Sequence, residues 1–132
     1  MFKLLIVDDS ELIRTRLRQW LSQIVGIDTI STAASLRETR ALLCSMQPDL
    51  MVLDLGLPDG NAMRQIAALQ RISPRTAIAV LTNDASPYAR QHCLAAGAKW
   101  FIDKSTEFEY LVAVLADWVR HAVSASPEGA IS

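Results

Sequence analysis

Apolar positions along this chain alternate between two periods. Leu4–Val7 is an unbroken apolar run, the pattern of a strand covered on both faces. From Ser10 to Ile24 the spacing turns helical, with Leu12, Ile13, Leu17, Trp20, Leu21 and Ile24 on one side, and Gly26 ends the stretch. Ile27–Ser31 reads as a second strand. Ser35 can cap a helix that runs through Met46 with Leu36, Ala41, Leu42, Leu43 and Met46 facing inward. Pro48 breaks the chain before a third strand, "LMVL", at Leu50–Leu53.

The segment "DLGLPDGN" that follows is dense in turn formers, and a helix from Asn61 to Ile72 closes at Ser73-Pro74. "TAIAVL", Thr76–Leu81, predicts a fourth strand. Ser86-Pro87 supplies a cap and a first-turn proline for a helix that ends at Gly97. Lys99–Ile102 predicts a short fifth strand. Thr106 and Glu109 offer a capping box for a last helix to about Val123, striped by Leu111, Val112, Leu115, Trp118, Val119 and Ala122.

Five strands alternating with five helices predict an α/β fold, a doubly wound, five-stranded parallel sheet flanked by helices. Sheets of this kind place ligands beyond the carboxyl ends of their strands. Composition agrees with one folded domain: 132 residues, 51% hydrophobic and 20% charged. A net charge of −1 and scattered basic residues argue against direct binding to nucleic acid. Apolar runs are too short for a membrane span and no signal peptide opens the chain. Cys44 and Cys93 lie far apart without a CxxC partner and read as reduced thiols, so a cytoplasmic location is expected.

The chemistry gathers at the strand ends. Asp8 and Asp9 follow the first strand, Asp54 the third, Thr82, Asn83 and Asp84 the fourth, and Asp103-Lys104 the fifth. Taken singly, each has an ordinary reading, as helix cap, turn residue, strand end or solvated lysine. Taken together they put three carboxylates, a hydroxyl and an ammonium on one edge of a parallel sheet. Three clustered carboxylates call for a cation, and oxygen donors of this kind suit Mg²⁺. A carboxylate beside Mg²⁺, flanked by a hydroxyl and a lysine, is arranged for phosphoryl transfer.

The segments "IVDDSELIR", "MVLDLGLPDG", "VLTND" and "GAKWFIDKS" closely resemble those of response-regulator receiver domains of two-component signalling. The resemblance covers about residues 2–123 and leaves 124–132 as a polar tail or the start of a linker. It implies that Asp54 is the phosphoryl acceptor, that Asp9, Asp54 and the Gly56 carbonyl bind Mg²⁺ with help from Asp8, and that Thr82 and Lys104 contact the phosphoryl group. Phe101 matches the switch aromatic, which turns inward when the threonine moves toward the phosphoryl group. The donor implied is a sensor histidine kinase or a histidine phosphotransfer protein, since His92 and His121 lie within helices outside any kinase-like phosphorylation box. The chain would not otherwise be an enzyme, its chemistry being self-phosphorylation and autodephosphorylation.

Several positions depart from the family's commonest pattern. Ser105 replaces the proline after Lys104, so a cis peptide there is not assured. Asn83 stands where a smaller residue is usual, and Gly56, Asn83 and Asp84 are expected to tune the lifetime of the phosphorylated state. Trp100 is expected to pack on the last helix or to serve a partner or self-dimer on the face of the fourth helix, fifth strand and fifth helix. A phosphohydrolase acting through an aspartyl-phosphate would carry a second Asp where this chain has Gly56. A receiver that binds partners without phosphorylation is opposed by the intact acidic set. The start at methionine leans toward a stand-alone receiver, with a fragment of a DNA-binding transcriptional regulator as the alternative.

Overall fold

The computed structural model describes residues 2–125 and shows five parallel strands: β1 (Phe2–Val7), β2 (Ile27–Ala33), β3 (Leu50–Leu53), β4 (Ala77–Thr82) and β5 (Trp100–Asp103). Their order in the sheet is β2-β1-β3-β4-β5. Between them run α1 (Glu11–Leu21), α2 (Leu36–Met46), α3 (Ile66–Ile72, entered through a 3₁₀ turn at Ala62–Gln65), α4 (Pro87–Ala96) and α5 (Phe108–Ala125). This is the doubly wound, flavodoxin-like α/β fold that the alternation of periods predicts, and the order reverses at β1, between β2 and β3.

Each central strand is buried on both sides, so its alternate residues feed two cores. Leu5, Val7, Met51, Leu53, Ile78, Val80 and Phe101 pack toward α2, α3 and α4. Leu4, Ile6, Leu50, Val52, Ala79, Leu81 and Ile102 pack toward α1 and α5 through Leu17, Leu21, Leu111, Leu115 and Val119. A continuous apolar run in the sequence is the consequence of this double cover.

The boundaries differ from the sequence reading where local chemistry outranks periodicity. α1 begins after Ser10, whose hydroxyl accepts from the Ile13 N–H, and stops at Leu21 rather than Ile24. Leu12 and Trp20 are exposed at 63% and 37%, although helical spacing alone places them inward. In α2 the inward position belongs to Thr39 rather than Ala41; its hydroxyl donates to the Ser35 carbonyl at 2.7 Å, which lets a polar side chain sit in the core. β2 runs on to Ala33, β4 and β5 each sit one residue later than expected, and the first turn expected of the third helix is 3₁₀. No Thr106–Glu109 capping box closes the entry to α5. The Glu107 carboxylate instead accepts from the Asp103 N–H at 3.0 Å. Ser124 and Ala125 belong to α5 rather than to the tail, and the rest of the expected tail, 126–132, lies outside the described residues. Among the described residues no helix is long and apolar enough to cross a membrane.

Candidate functional site

The parallel register builds the site. Val7 is paired with Leu53, and the Asp54 N–H donates to the Val7 carbonyl at 2.9 Å, so Asp8 and Asp54 leave neighbouring strands side by side. Thr82 is paired with Asp103, and the Lys104 N–H donates to the Thr82 carbonyl at 2.8 Å, which carries the lysine round to the same edge. These four residues line one cleft of about 720 Å³ together with Asp9, Gly56, Asn83 and Asp84. Of the residues expected at the strand ends only Asp103 stays outside this cleft, its carboxylate accepting from Ser105 instead.

The electrostatics follow from burial. Asp8 is 1% exposed and Asp54 8%. The Lys104 ammonium lies 2.8 Å from Asp8 Oδ2 and 3.4 Å from Asp54 Oδ1. Burial, and then the Asp8 charge, raise the Asp54 pKa above its ordinary 3.8 despite the lysine's opposing pull. Burial works against the Lys104 charge, but the hydrogen bond to Asp8 and the charges of Asp54 and Asp8 outweigh it and raise the lysine's pKa above 10.5. Carboxylate oxygens of Asp8, Asp9 and Asp54 all lie within 4.8 Å of one another. Three carboxylates (−3) against one ammonium (+1) leave a formal −2 on hard oxygen donors, a set that fits Mg²⁺.

Backbone and side-chain bonds fix the members in place. Asp8 Oδ1 accepts the Ser10 N–H at 2.9 Å, and the Arg14 guanidinium donates to the Asp8 carbonyl at 2.7 Å. A side chain at Gly56 would meet open space. Thr82 Oγ1 accepts the Asp84 N–H at 3.0 Å, which leaves its own proton free to donate into the cleft. Asn83 is exposed at the rim, and the Lys104–Ser105 peptide is trans. In place of a proline, Ser105 donates to the Asp103 carboxylate through both its N–H and its hydroxyl.

Phe101 is 7% exposed and points into the core. Trp100 meets Trp118 of α5 edge to face at 5.5 Å, and Trp118 meets Phe2 at 5.6 Å. His92 is half-buried and His121 exposed, and Cys44 and Cys93 are free thiols, exposed and buried respectively.

Asp59 is a site-supporting residue that the sequence does not reveal. Its carboxylate accepts the N–H groups of Leu36 and Arg37 at 2.8 and 2.9 Å, the bonds that lower its pKa. The loop that carries Gly56, closed by the pairing of Gly56–Leu57 with Gly60–Asn61, is thereby latched to the start of α2. A cap supplied from 23 residues away has no sequence pattern.

The fold and the pocket define a flavodoxin-like domain with an acidic, lysine-bridged cleft at the carboxyl edge of its sheet. The chain belongs to the response regulator receiver domain family, whose model matches residues 4–116. It is 31% identical over 117 residues to the DNA-binding transcriptional activator DevR/DosR of Mycobacterium tuberculosis, covering 89% of this chain and 54% of that protein. It is 32% identical over 107 residues to a protein-glutamate methylesterase/protein-glutamine glutaminase of Hahella chejuensis, covering 80% of this chain and 27% of that one. Among solved structures, the Vibrio cholerae chemotaxis protein CheY4 matches with a TM-score of 0.77 at 28% identity, over 89% of this chain and 98% of that one. The chain thus spans about half or less of the length of these two curated relatives.

Proposed function

We propose that this receiver accepts a phosphoryl group on Asp54 from the phosphohistidine of a sensor kinase or histidine phosphotransfer protein. The observation that carries this reading is the Asp8–Lys104–Asp54 bridge in a pocket whose charge is otherwise unbalanced. Asp54 Oδ attacks phosphorus as the bond from phosphorus to the histidine nitrogen breaks, and the imidazole leaves. Lys104 neutralises charge growing on the transferring oxygens. The free hydroxyl proton of Thr82 donates to one of them while Oγ1 keeps the Asp84 N–H. Asp8, Asp9, Asp54 and the Gly56 carbonyl would hold Mg²⁺, which supplies positive charge to the phosphoryl oxygens.

The receiver unit extends through the end of α5 at Ala125 and works in the cytoplasm. It acts as a phosphorylation-controlled binding module rather than as an enzyme on a separate substrate. Thr82 and Phe101, joined by the β4–β5 pairing, carry the signal to the face of α4, β5 and α5, where Trp100 borders the partner-facing surface. Incubation with a phosphorylated histidine kinase tests the transfer: label should leave the kinase and appear on this chain in Mg²⁺ and not in chelator. Retention of the label on every kinase tried, with small acyl phosphates also inert, would reject it.

Two further outcomes are expected at the same site. Asp59→Ala frees the Gly56 loop from α2 and should weaken Mg²⁺ binding about tenfold by titration calorimetry, with the fold intact by circular dichroism. Unchanged affinity would separate the latch from the site. Gly56 and Asp84 line the cleft beside Asp54, from which a hydrolysing water would reach the phosphoryl group. Gly56→Asn and Asp84→Ala should each shift the lifetime of the phosphorylated form severalfold; equal decay rates in all three proteins would remove both from the hydrolysis step.

A further inference from the structure

Lys104 is carried by a turn, the stretch 104–107 between β5 and α5. Its four-carbon stem is flexible, yet its ammonium sits 2.8 Å from Asp8 Oδ2 and 3.4 Å from Asp54 Oδ1. Those contacts hold the far end of the side chain. The near end has to be held by the backbone. On one side the Lys104 N–H does this by donating to the Thr82 carbonyl at 2.8 Å. On the other side the chain leaves the sheet, and the bonds there converge on Asp103.

Asp103 Oδ1 accepts the Ser105 N–H at 2.9 Å and the Ser105 hydroxyl at 2.7 Å. Its carbonyl accepts the N–H groups of Thr106 and Glu107 at 3.3 and 2.8 Å. Its own N–H donates to Glu107 Oε1 at 3.0 Å. The Glu107 carbonyl in turn accepts the Leu111 N–H at 3.1 Å, which roots the turn in the start of α5. The residue before Lys104 is thus bonded through its N–H, carbonyl and carboxylate to the residues that follow the lysine. The Asp103 carboxylate lies outside the acidic cleft, and the two bonds from Ser105 hold its pKa below the ordinary 3.8.

We propose that Asp103 is a positioning residue for phosphoryl transfer: through Ser105 and Glu107 it closes the turn that aims the Lys104 ammonium between Asp8 and Asp54. It acts by hydrogen bonding rather than by charge, because the groups it receives from Ser105 are a neutral N–H and a neutral O–H, which an amide oxygen also accepts. A lysine displaced by about 1 Å no longer meets the transferring oxygens squarely, and misplacement on that scale is costly in rate. The effect on rate rests on Asp54 being the acceptor; the aim of the lysine does not.

Two measurements test this: acceptance from a small acyl phosphate in Mg²⁺, and urea unfolding in chelator. Each is run on Asp103→Ala, Asp103→Asn and Ser105→Ala, with and without Lys104→Met. Asp103→Ala should accept at least about tenfold more slowly than wild type. Asp103→Asn, which keeps an Oδ1 acceptor, should stay within about twofold of wild type, and Ser105→Ala should fall between the two. In Lys104→Met protein, Asp103→Ala should cost no further rate. The fall in urea midpoint caused by Lys104→Met should be smaller when Asp103→Ala is already present, the non-additivity expected of a residue that acts through another. Circular dichroism checks folding, and if Asp103→Ala does not fold, Ser105→Ala carries the same cycle. A wild-type rate for Asp103→Ala would overturn the proposal, as would an equal loss in Asp103→Asn. So would losses that simply add to those of Lys104→Met, the result for a prop of the fold at large. If wild type accepts no phosphoryl group, the acceptor role of the pocket fails instead, and the urea cycle still decides: equal Lys104→Met shifts with and without Asp103→Ala overturn the aiming role.

Discussion

Lys104→Met is expected to damage both the fold and the chemistry. Among the described residues the ammonium is the one salt-bridge partner of two largely buried carboxylates, with Asp8 only 1% exposed. Without it Asp8 and Asp54 face each other across the pocket, and removing one partner of a buried pair costs about 3 kcal/mol. The loss should be visible in urea unfolding at neutral pH in chelator. It should shrink as pH falls toward the ordinary carboxylate range of about 4, because protonation ends the repulsion. In wild type the lysine's own contribution is fully present below 10.5 and is lost only as pH rises through its raised pKa. Phosphoryl acceptance should fall about a hundredfold or more, since among the described residues no other cationic side chain lines the cleft. A variant as stable and as readily phosphorylated as wild type would contradict the role given to Lys104.

Asp54→Asn should have two effects of opposite sign. Phosphoryl acceptance should vanish, because an amide oxygen cannot form the acyl phosphate. Stability in chelator at neutral pH should rise. Burial and the Asp8 charge together raise the Asp54 pKa even against the lysine, so its ionised form is a net strain on the folded state. With the folded pKa above the unfolded one, the stabilising contribution of Asp54 is complete below 3.8 and is lost as pH rises through the raised value. The advantage of the Asn variant should therefore appear over that same rise and close on acidification. Thermal unfolding at several pH values measures it. A variant less stable than wild type at pH 7 would mean that the Lys104–Asp54 contact outweighs burial.

What the sequence made legible was set by how local the physics is. The doubly covered strands could be read because a run such as Leu4–Val7 has little use outside a sheet core. The pocket could be read because each strand end carries its own chemistry and a parallel sheet forces those ends together. Leu12 and Trp20 were misplaced because helical spacing defines a stripe wider than the surface available to bury it. Thr39 in place of Ala41 depended on a hydroxyl satisfied by the backbone one turn earlier, which hydrophobicity does not register. The Asp59 latch, the Arg14 hydrogen bond to the Asp8 carbonyl and the paired hydrogen bonds of Ser105 to Asp103 are tertiary or loop-specific, and no periodic signal announces them. Ser105 shows the limit of reasoning from a departure. The missing proline drew attention to the peptide bond, whereas what stands there is a trans peptide and a pair of hydrogen bonds.

The most direct test of the central claim is intact mass after incubation with Mg²⁺ and a small acyl phosphate, with Asp54→Asn run beside wild type. The account predicts addition of one phosphoryl group to wild type, none to the variant, and none to either in chelator. Addition to both proteins would place the acceptor elsewhere. No addition to wild type, repeated with a phosphorylated histidine kinase as donor, would contradict the phosphoryl-acceptor role of the pocket.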